Sequence, residues 1–177
     1  MGYTPLSLLL HWFTVLWVGV MWVAGVLISR WDDTPDAVYD LHVTVGVLGF
    51  AVIVYRIVWR VVRGFASPNA DHAGWERALA RAVQWVFLTA LSVSILTGLI
   101  KTFLGTSTQY FLWGSEIPKI RIVRMGVGAQ WVETLHEIAA YALFFALILH
   151  VGGALKHVVL DRDGTLMRIL KPSRPGK

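Results

Sequence analysis

The chain contains no cysteine. That excludes disulfides, thiolate-held iron–sulfur clusters and thioether attachment of a prosthetic group. Any metal group must therefore be held without a covalent link to the chain, by histidine or carboxylate. Charge is the second scarcity: 15% of the 177 residues are Asp, Glu, Lys or Arg, where a soluble domain carries about 25%. No Ser/His/Asp constellation, phosphate-binding loop or nucleic-acid motif is present, so nucleic acid is not an expected partner. The N-terminus lacks a basic leader, and its apolar run is too long for a signal peptide, so it is expected to be a retained span.

What remains is apolar. Residues 5–29 hold no acidic or basic side chain except His11, and residues 82–100 and 138–155 hold no Asp, Glu, Lys or Arg. Residues 41–62 are apolar apart from His42 and two arginines, Arg56 and Arg60, placed where they can snorkel to a membrane edge. The expected fold class is all-α, an integral membrane four-helix bundle with helices at about 5–29, 39–62, 76–101 and 131–158. One domain, residues 1–177, uses the whole chain. Lipid is the first expected partner. Tryptophans near the segment ends, Trp12, Trp31, Trp59, Trp75, Trp113 and Trp131, fit an interfacial aromatic belt.

Basic residues set the expected orientation. The side holding the 63–80 loop and both termini carries Arg56, Arg60, Arg63, Arg77, Arg81, Lys156 and five more in the tail. The other side carries Arg30, Lys101, Lys119, Arg121 and Arg124. Eleven against five places both termini in the cytoplasm of a bacterial inner (cytoplasmic) membrane, as a multi-pass protein. The outer link of about thirty residues, 102–131, is too long for a passive turn, and either lies on the membrane surface or caps a site.

The histidines carry the chemistry. His136 and His150 are fourteen residues apart, which in an α-helix is about 1400° of rotation and roughly 21 Å of rise. They share a face near opposite edges of a hydrocarbon layer about 30 Å thick. By depth, His11 matches His150 near the cytoplasmic edge, and His42 matches His136 near the external edge. An ionisable residue inside a span is a functional candidate by default, and two depth-matched pairs suit two stacked bis-imidazole haems. With no cysteine, both are b-type. A six-coordinate iron of this kind changes little on one-electron transfer, so the arrangement conducts electrons across the bilayer. Gly46 and Gly49, on the face of His42, and Gly152 and Gly153, after His150, offer backbone without side chains beside a porphyrin edge, or ordinary small-residue packing.

The other polar residues leave alternatives open. His72, in the polar loop Asn69–Gly74, reads as solvated. His157, seven residues past His150, contacts a propionate, helps bind a quinone, or is an interfacial residue. Lys101 reads as a snorkelling anchor at the end of the third helix. Lys119, Arg121 and Arg124 steer a small anion to the external haem or bind lipid headgroups.

Leu10-His11-Trp12, Leu41-His42-Val43 with Gly46, the run from His136-Glu137 through His150 to His157, and the ending DRDGTLMRILKP (Asp161–Pro172) together resemble the bacterial cytochrome b561 family. The resemblance spans nearly the whole chain. It implies two haem b groups, His42/His136 on the external one and His11/His150 on the cytoplasmic one, and electron exchange with ubiquinone. In the family's superoxide oxidase branch, superoxide is oxidised at the external face. The chain departs from some members at Gln84, where they have a histidine, and at His157-Val158, where others have paired histidines. The expected function is thus a quinone-coupled oxidoreductase with superoxide or another small one-electron donor. The alternative is a membrane-anchor cytochrome relaying electrons for a partner dehydrogenase or hydrogenase subunit.

Overall fold

A computed structural model describes residues 4–65, 72–120, 128–164 and 167. Four helices account for most of them: α1 Pro5–Arg30, α2 Asp36–Arg63, α3 Gly74–Leu104 and α4 Gly128–Lys156. Each is long and apolar enough to cross a membrane. A single π-helical turn, His157–Asp161, continues α4.

Local chemistry sets the helix ends. The Thr4 hydroxyl accepts from the Ser7 N–H, and Pro5 occupies the first turn, where its missing N–H costs nothing. At the far end of α1, the Leu27 carbonyl accepts the Trp31 N–H and lies 2.7 Å from the Thr34 hydroxyl, which ties down the last turn. Gly64 terminates α2 at φ 73°, in the region glycine adopts without cost, and its N–H donates to the Arg60 carbonyl. Glu76 reaches back to the Ala73 N–H to start α3.

The helices form two hairpins, α1 with α2 and α3 with α4, with a smaller contact between α2 and α3. Arg60, near the end of α2, donates to Ser7 at the start of α1, and Lys156, ending α4, pairs with Glu76 at the start of α3. The start of α1 and the end of α4 therefore lie at one end of the bundle. The tight core is a mid-height slab of Ile53, Ala90, Leu91, Ala139 and Leu143, with Trp17, Ile57 and Phe87 packed against it. Outward, Leu9, Leu16 and Val23 repeat every seven residues along α1 and stay exposed, a stripe suited to lipid.

The α3–α4 connection is folded. Ile117 is wholly buried, and its N–H donates to the Gln109 carbonyl. The Gln109 side chain donates to the Tyr39 hydroxyl, the Leu112 N–H donates to the Thr44 hydroxyl, and the Ile120 N–H donates to the Phe103 carbonyl. Residues 105–120 thus cap the end of the bundle away from the start of α1, called the outer end for the side expected to be external, and are tied to α2 and α3. Of the two roles open for this connection, its described part takes the cap.

Within the first hairpin, Trp17 donates its indole N–H to the Val45 carbonyl at 3.0 Å. The indole lies directly over Gly49, where an added Cβ would fall 2.0 Å from Nε1. Gly49→Ala is expected to destabilise the fold by about 1–3 kcal/mol through overpacking, read as a lower unfolding midpoint in detergent. In a Trp17→Ala background the same substitution should cost almost nothing. An unchanged midpoint for Gly49→Ala alone would show that Trp17 is not held there.

Candidate functional site

Two cavities lie between the hairpins, one above and one below the core slab. The outer cavity, 280 Å³, is walled by His42 and His136 with Met21, Gly25, Ser94 and Gly98. The inner cavity, 220 Å³, is walled by His11 and His150 with Arg56, Arg60, Gln84 and Phe87. Val18, Leu91 and Leu143 line both and so form the partition. The structure brings the four histidines together as two pairs. His42 and His136 have ring centroids 6.2 Å apart, and His11 and His150 have theirs 6.3 Å apart.

The space and the donors fit a metal between each pair. Two metal–imidazole bonds of about 2 Å, with the half-width of each ring added, separate the centroids by roughly 6 Å. The cavities approach the lower end of the range for small-molecule sites, about 300–1,000 Å³. His150 is exposed, so the inner cavity is open on its side.

Hydrogen bonding fixes one ring's tautomer. The Thr97 hydroxyl donates to the Val93 carbonyl at 2.6 Å, which uses its only proton. Its contact of 3.0 Å with His136 Nδ1 must then run the other way, Nδ1–H donating to the Thr97 oxygen. Nε2 is left with a bare lone pair, the form that binds metal. His42 Nδ1 is buried with no partner in hydrogen-bonding geometry, although the Met21 carbonyl lies beside it. The Ser94 hydroxyl, in the same wall, is also buried without a partner. A largely apolar cavity with two unpartnered polar atoms and two facing imidazoles has polar groups to offer a ligand.

Charge makes a similar point in the inner cavity. Arg60 reaches the Ser7 hydroxyl at 3.0 Å, and Arg56 stands one turn before it, partly buried. Among the described residues neither is paired with a carboxylate. Two guanidiniums facing an apolar cavity call for an anionic group, which haem propionates supply. The donor set and the unpaired cations fit haem.

Several expectations are corrected. Arg56 and Arg60 line the inner cavity instead of snorkelling to the edge. Lys101 is no free anchor: its ammonium donates to Glu133 on α4 at 2.8 Å, beside the outer cavity. His72 is not solvated. Its side chain is 12% exposed, stacks on His157 at 4.0 Å and meets Asp163 at 2.7 Å. His157 lines neither cavity and faces Asp161. Gly49 makes room for Trp17, and a Cβ at Gly152 or Gly153 would meet nothing within 4 Å, so of the four glycines only Gly46 borders a cavity.

The Lys119 ammonium donates to the Thr102 carbonyl at 2.6 Å and lies 3.5 Å from the Gln109 side-chain oxygen. Burial there lowers its pKa, with Glu116 opposing the shift. Arg121 and Arg124 lie outside the described residues.

Sequence reading missed Thr97, Gly25 and Gly98. A threonine in an apolar span is common, and only the fold places it against His136. A Cβ at Gly25 would touch His42 at 3.4 Å, and one at Gly98 would touch His136 at 3.5 Å. These glycines stand on α1 and α3, the helices that do not carry the histidine in question.

Comparison with known proteins points the same way. The sequence model of the family described as "Prokaryotic cytochrome b561" matches residues 2–172. The chain is 29% identical over 175 residues to "Cytochrome b561 homolog 2" of Escherichia coli, covering 97% of this chain and 92% of the relative. It is 25% identical over 178 residues to "Cytochrome b562" of Cereibacter sphaeroides, covering 97% and 96%. "Cytochrome b561 homolog 1" of Escherichia coli is 21% identical over 175 residues, covering 95% and 96%.

Thr97→Val keeps the size of the side chain and removes the acceptor for His136 Nδ1–H. It is expected to weaken haem retention at the His42/His136 pair by about 10–100-fold, the usual effect of losing a ligand's supporting hydrogen bond. It should also raise the midpoint potential of that haem alone, because a less basic imidazole stabilises Fe(III) less. Thr97→Ser should behave like the wild type. A Thr97→Val protein with both haems and both potentials unchanged would show that the hydroxyl does not orient the ring.

Proposed function

The chain belongs to the prokaryotic cytochrome b561 family, and from that premise we propose how its own residues carry electrons between the two faces of a membrane. Membership makes it a multi-pass membrane cytochrome whose b haems transfer electrons across the bilayer. We assign His42 and His136 as the axial ligands of one haem b and His11 and His150 as those of the other, within a single domain of residues 1–177. The observation that carries the assignment is the recurrence of one spacing, 6.2 and 6.3 Å between ring centroids, at two levels of the bundle.

Each bound iron supplies reversible one-electron oxidation and reduction. The chain's part is to hold and insulate. Thr97 orients the His136 ring, and Arg56 and Arg60 offer positive charge to propionates at the inner level. Val18, Leu91 and Leu143 make the partition between the levels apolar. The cap of residues 105–120 covers the outer level. Arg56, Arg60, Arg63 and Arg77 gather at the end where α1 begins and α4 ends, which supports cytoplasmic termini in a bacterial inner membrane.

We assign superoxide as the external one-electron donor and ubiquinone as the acceptor. Two superoxide anions release two electrons and become two dioxygen molecules. Ubiquinone takes those electrons with two protons to give the quinol. The family and the basic outer residues Lys119, Arg121 and Arg124 support the donor. Lys119 acts there through the charge it lends the cap while its ammonium is hydrogen-bonded. Gln84, in the inner cavity wall, and His157, beyond it, lie at the end where the quinone would be reduced. A second reading is an anchor cytochrome for a partner dehydrogenase or hydrogenase subunit. It is favoured by the exposed Tyr110, Leu112 and Trp113 on the cap, which could seat a protein.

The ligand assignment predicts that His42→Ala and His136→Ala each leave one haem per chain, with the same surviving potential. His11→Ala and His150→Ala should each leave the other. Haem content and redox titration read this, and a variant keeping two haems, or losing the opposite one, overturns the pairing. For the substrate, stopped-flow mixing with superoxide should reduce haem well above the rate of spontaneous dismutation, and added ubiquinone should reoxidise it. Absence of haem reduction removes superoxide, and co-purification with a soluble redox subunit supports the anchor reading in its place.

A further inference from the structure

The six histidines of the chain form three pairs, and the third pair belongs to neither cavity. His72, before α3, and His157, in the π-turn after α4, stack face to face with centroids 4.0 Å apart and planes 8° apart. Both meet one carboxylate: Asp163 Oδ2 lies 2.7 Å from His72 Nε2 and 3.3 Å from His157 Nδ1. A second carboxylate, Asp161, lies 2.7 Å from His157 Nδ1. We propose that His72, His157 and Asp163 form a binding site for a divalent first-row transition cation, Zn²⁺ being the one its donors suit best, at the end of the bundle where α3 begins and α4 ends.

The backbone builds this convergence. The π-turn at His157–Asp161 departs from the α-helical register, and Arg162 then adopts the left-handed conformation at φ 51°. Together they turn the chain back, so that the Asp163 N–H donates to the His157 carbonyl at 3.3 Å. A π-turn and a non-glycine left-handed residue in succession are uncommon, and such features cluster at functional sites. A plain α-helical continuation would not double the chain back beneath His157.

The donor types are those of a metal centre, and since an imidazole lone pair lies in its ring plane, the two stacked rings tilt towards each other when both meet one cation. One donor atom from each of the three side chains lies within 4.8 Å of the others. Two imidazoles and a carboxylate, with a fourth position for Asp161 or water, make up the nitrogen and oxygen set that zinc takes in tetrahedral sites. A divalent cation would take the place between Asp163 and the two rings, each ring binding it through a bare nitrogen with its N–H carried on the other nitrogen. Charge permits it. Among the described residues, Asp161, Asp163 and Glu76 bring three negative groups, against Lys156, which bridges Asp161 and Glu76, and Arg77, which donates to the His72 carbonyl. The three ligand side chains are 12–17% exposed, sheltered yet reachable.

The haem assignment is not needed for this site, since neither His72 nor His157 lines a haem cavity. The test uses the full haem-loaded chain, purified without a polyhistidine tag, stripped with EDTA and dialysed against micromolar ZnCl₂. Metal per chain is then measured by mass spectrometry. The expected result is one zinc per chain, held on the order of tenfold or more weakly in His72→Ala, His157→Ala and Asp163→Asn, because each removes a direct ligand. Haem content and spectrum of these variants should match the wild type, which separates loss of the site from loss of the fold. His72→Gln, a milder change in a link outside the helices, serves if His72→Ala is unstable. No zinc on the wild-type chain, or zinc retained in the His72→Ala/His157→Ala double variant, overturns the proposal.

Discussion

A buried imidazole nitrogen needs a partner, and inside a helical bundle surrounded by lipid there is no water to supply one. Most of the architecture follows from where four imidazole rings sit, three of them partly buried and the fourth, His150, exposed on one side. The α1–α2 hairpin contributes His11 and His42, and α4 contributes both His136 and His150, so every pair spans the gap between the hairpins. If the hairpins closed on each other, the rings would be crushed against apolar side chains with their nitrogens unpaired. Held apart, they face each other across a space of the size a haem iron needs. On the proposed ligand assignment, haem binding should be coupled to the stability of the bundle by mass action.

The gap must be kept open by the chain itself. Trp17 locks α1 to α2 through the Val45 carbonyl, over a glycine that lets the indole approach. Lys101–Glu133 and Lys156–Glu76 tie α3 to α4 near its two ends. Between these rigid pairs, contact is concentrated in the slab of Ile53, Ala90, Leu91, Ala139 and Leu143. The slab divides the space in two and places apolar side chains between the two histidine pairs. Dense packing is thus confined to the level where it separates the sites, while the levels above and below stay hollow.

Charge follows the same division. Among the described residues of the outer level, Lys101 is paired with Glu133, and Lys119 keeps its positive charge while hydrogen-bonded into the cap. The inner level carries two guanidiniums with no carboxylate partner among the described residues, and just beyond it lies the polar network of His72, His157, Asp161, Asp163, Glu76, Lys156 and Arg77. One end of the bundle handles charge and protons, and the other presents a closed, hydrogen-bonded cover.

How much of this was legible beforehand depends on the range of the interaction. Helix existence was readable from apolar run length, and the ends differ from expectation by only a few residues because Thr4, Pro5 and Gly64 mark them locally. The depth of each histidine was readable too, since helical rise converts position into height, and the absent cysteines restricted any haem to a non-covalent b-type. Rotation about each helix axis was not readable. That rotation decided that Arg56 and Arg60 point into a cavity, that Thr97 rather than another hydroxyl supports His136, and that Gly25 and Gly98 border the rings. The fate of His72 was hidden for a different reason: it lies in a polar link, and its partners are more than eighty residues away, reached only through a π-turn and a left-handed residue. The amino-acid order determined which groups lie at which height in the membrane, a one-dimensional property. Which of them face each other is set by how four helices rotate and pack, and that only the tertiary structure decided.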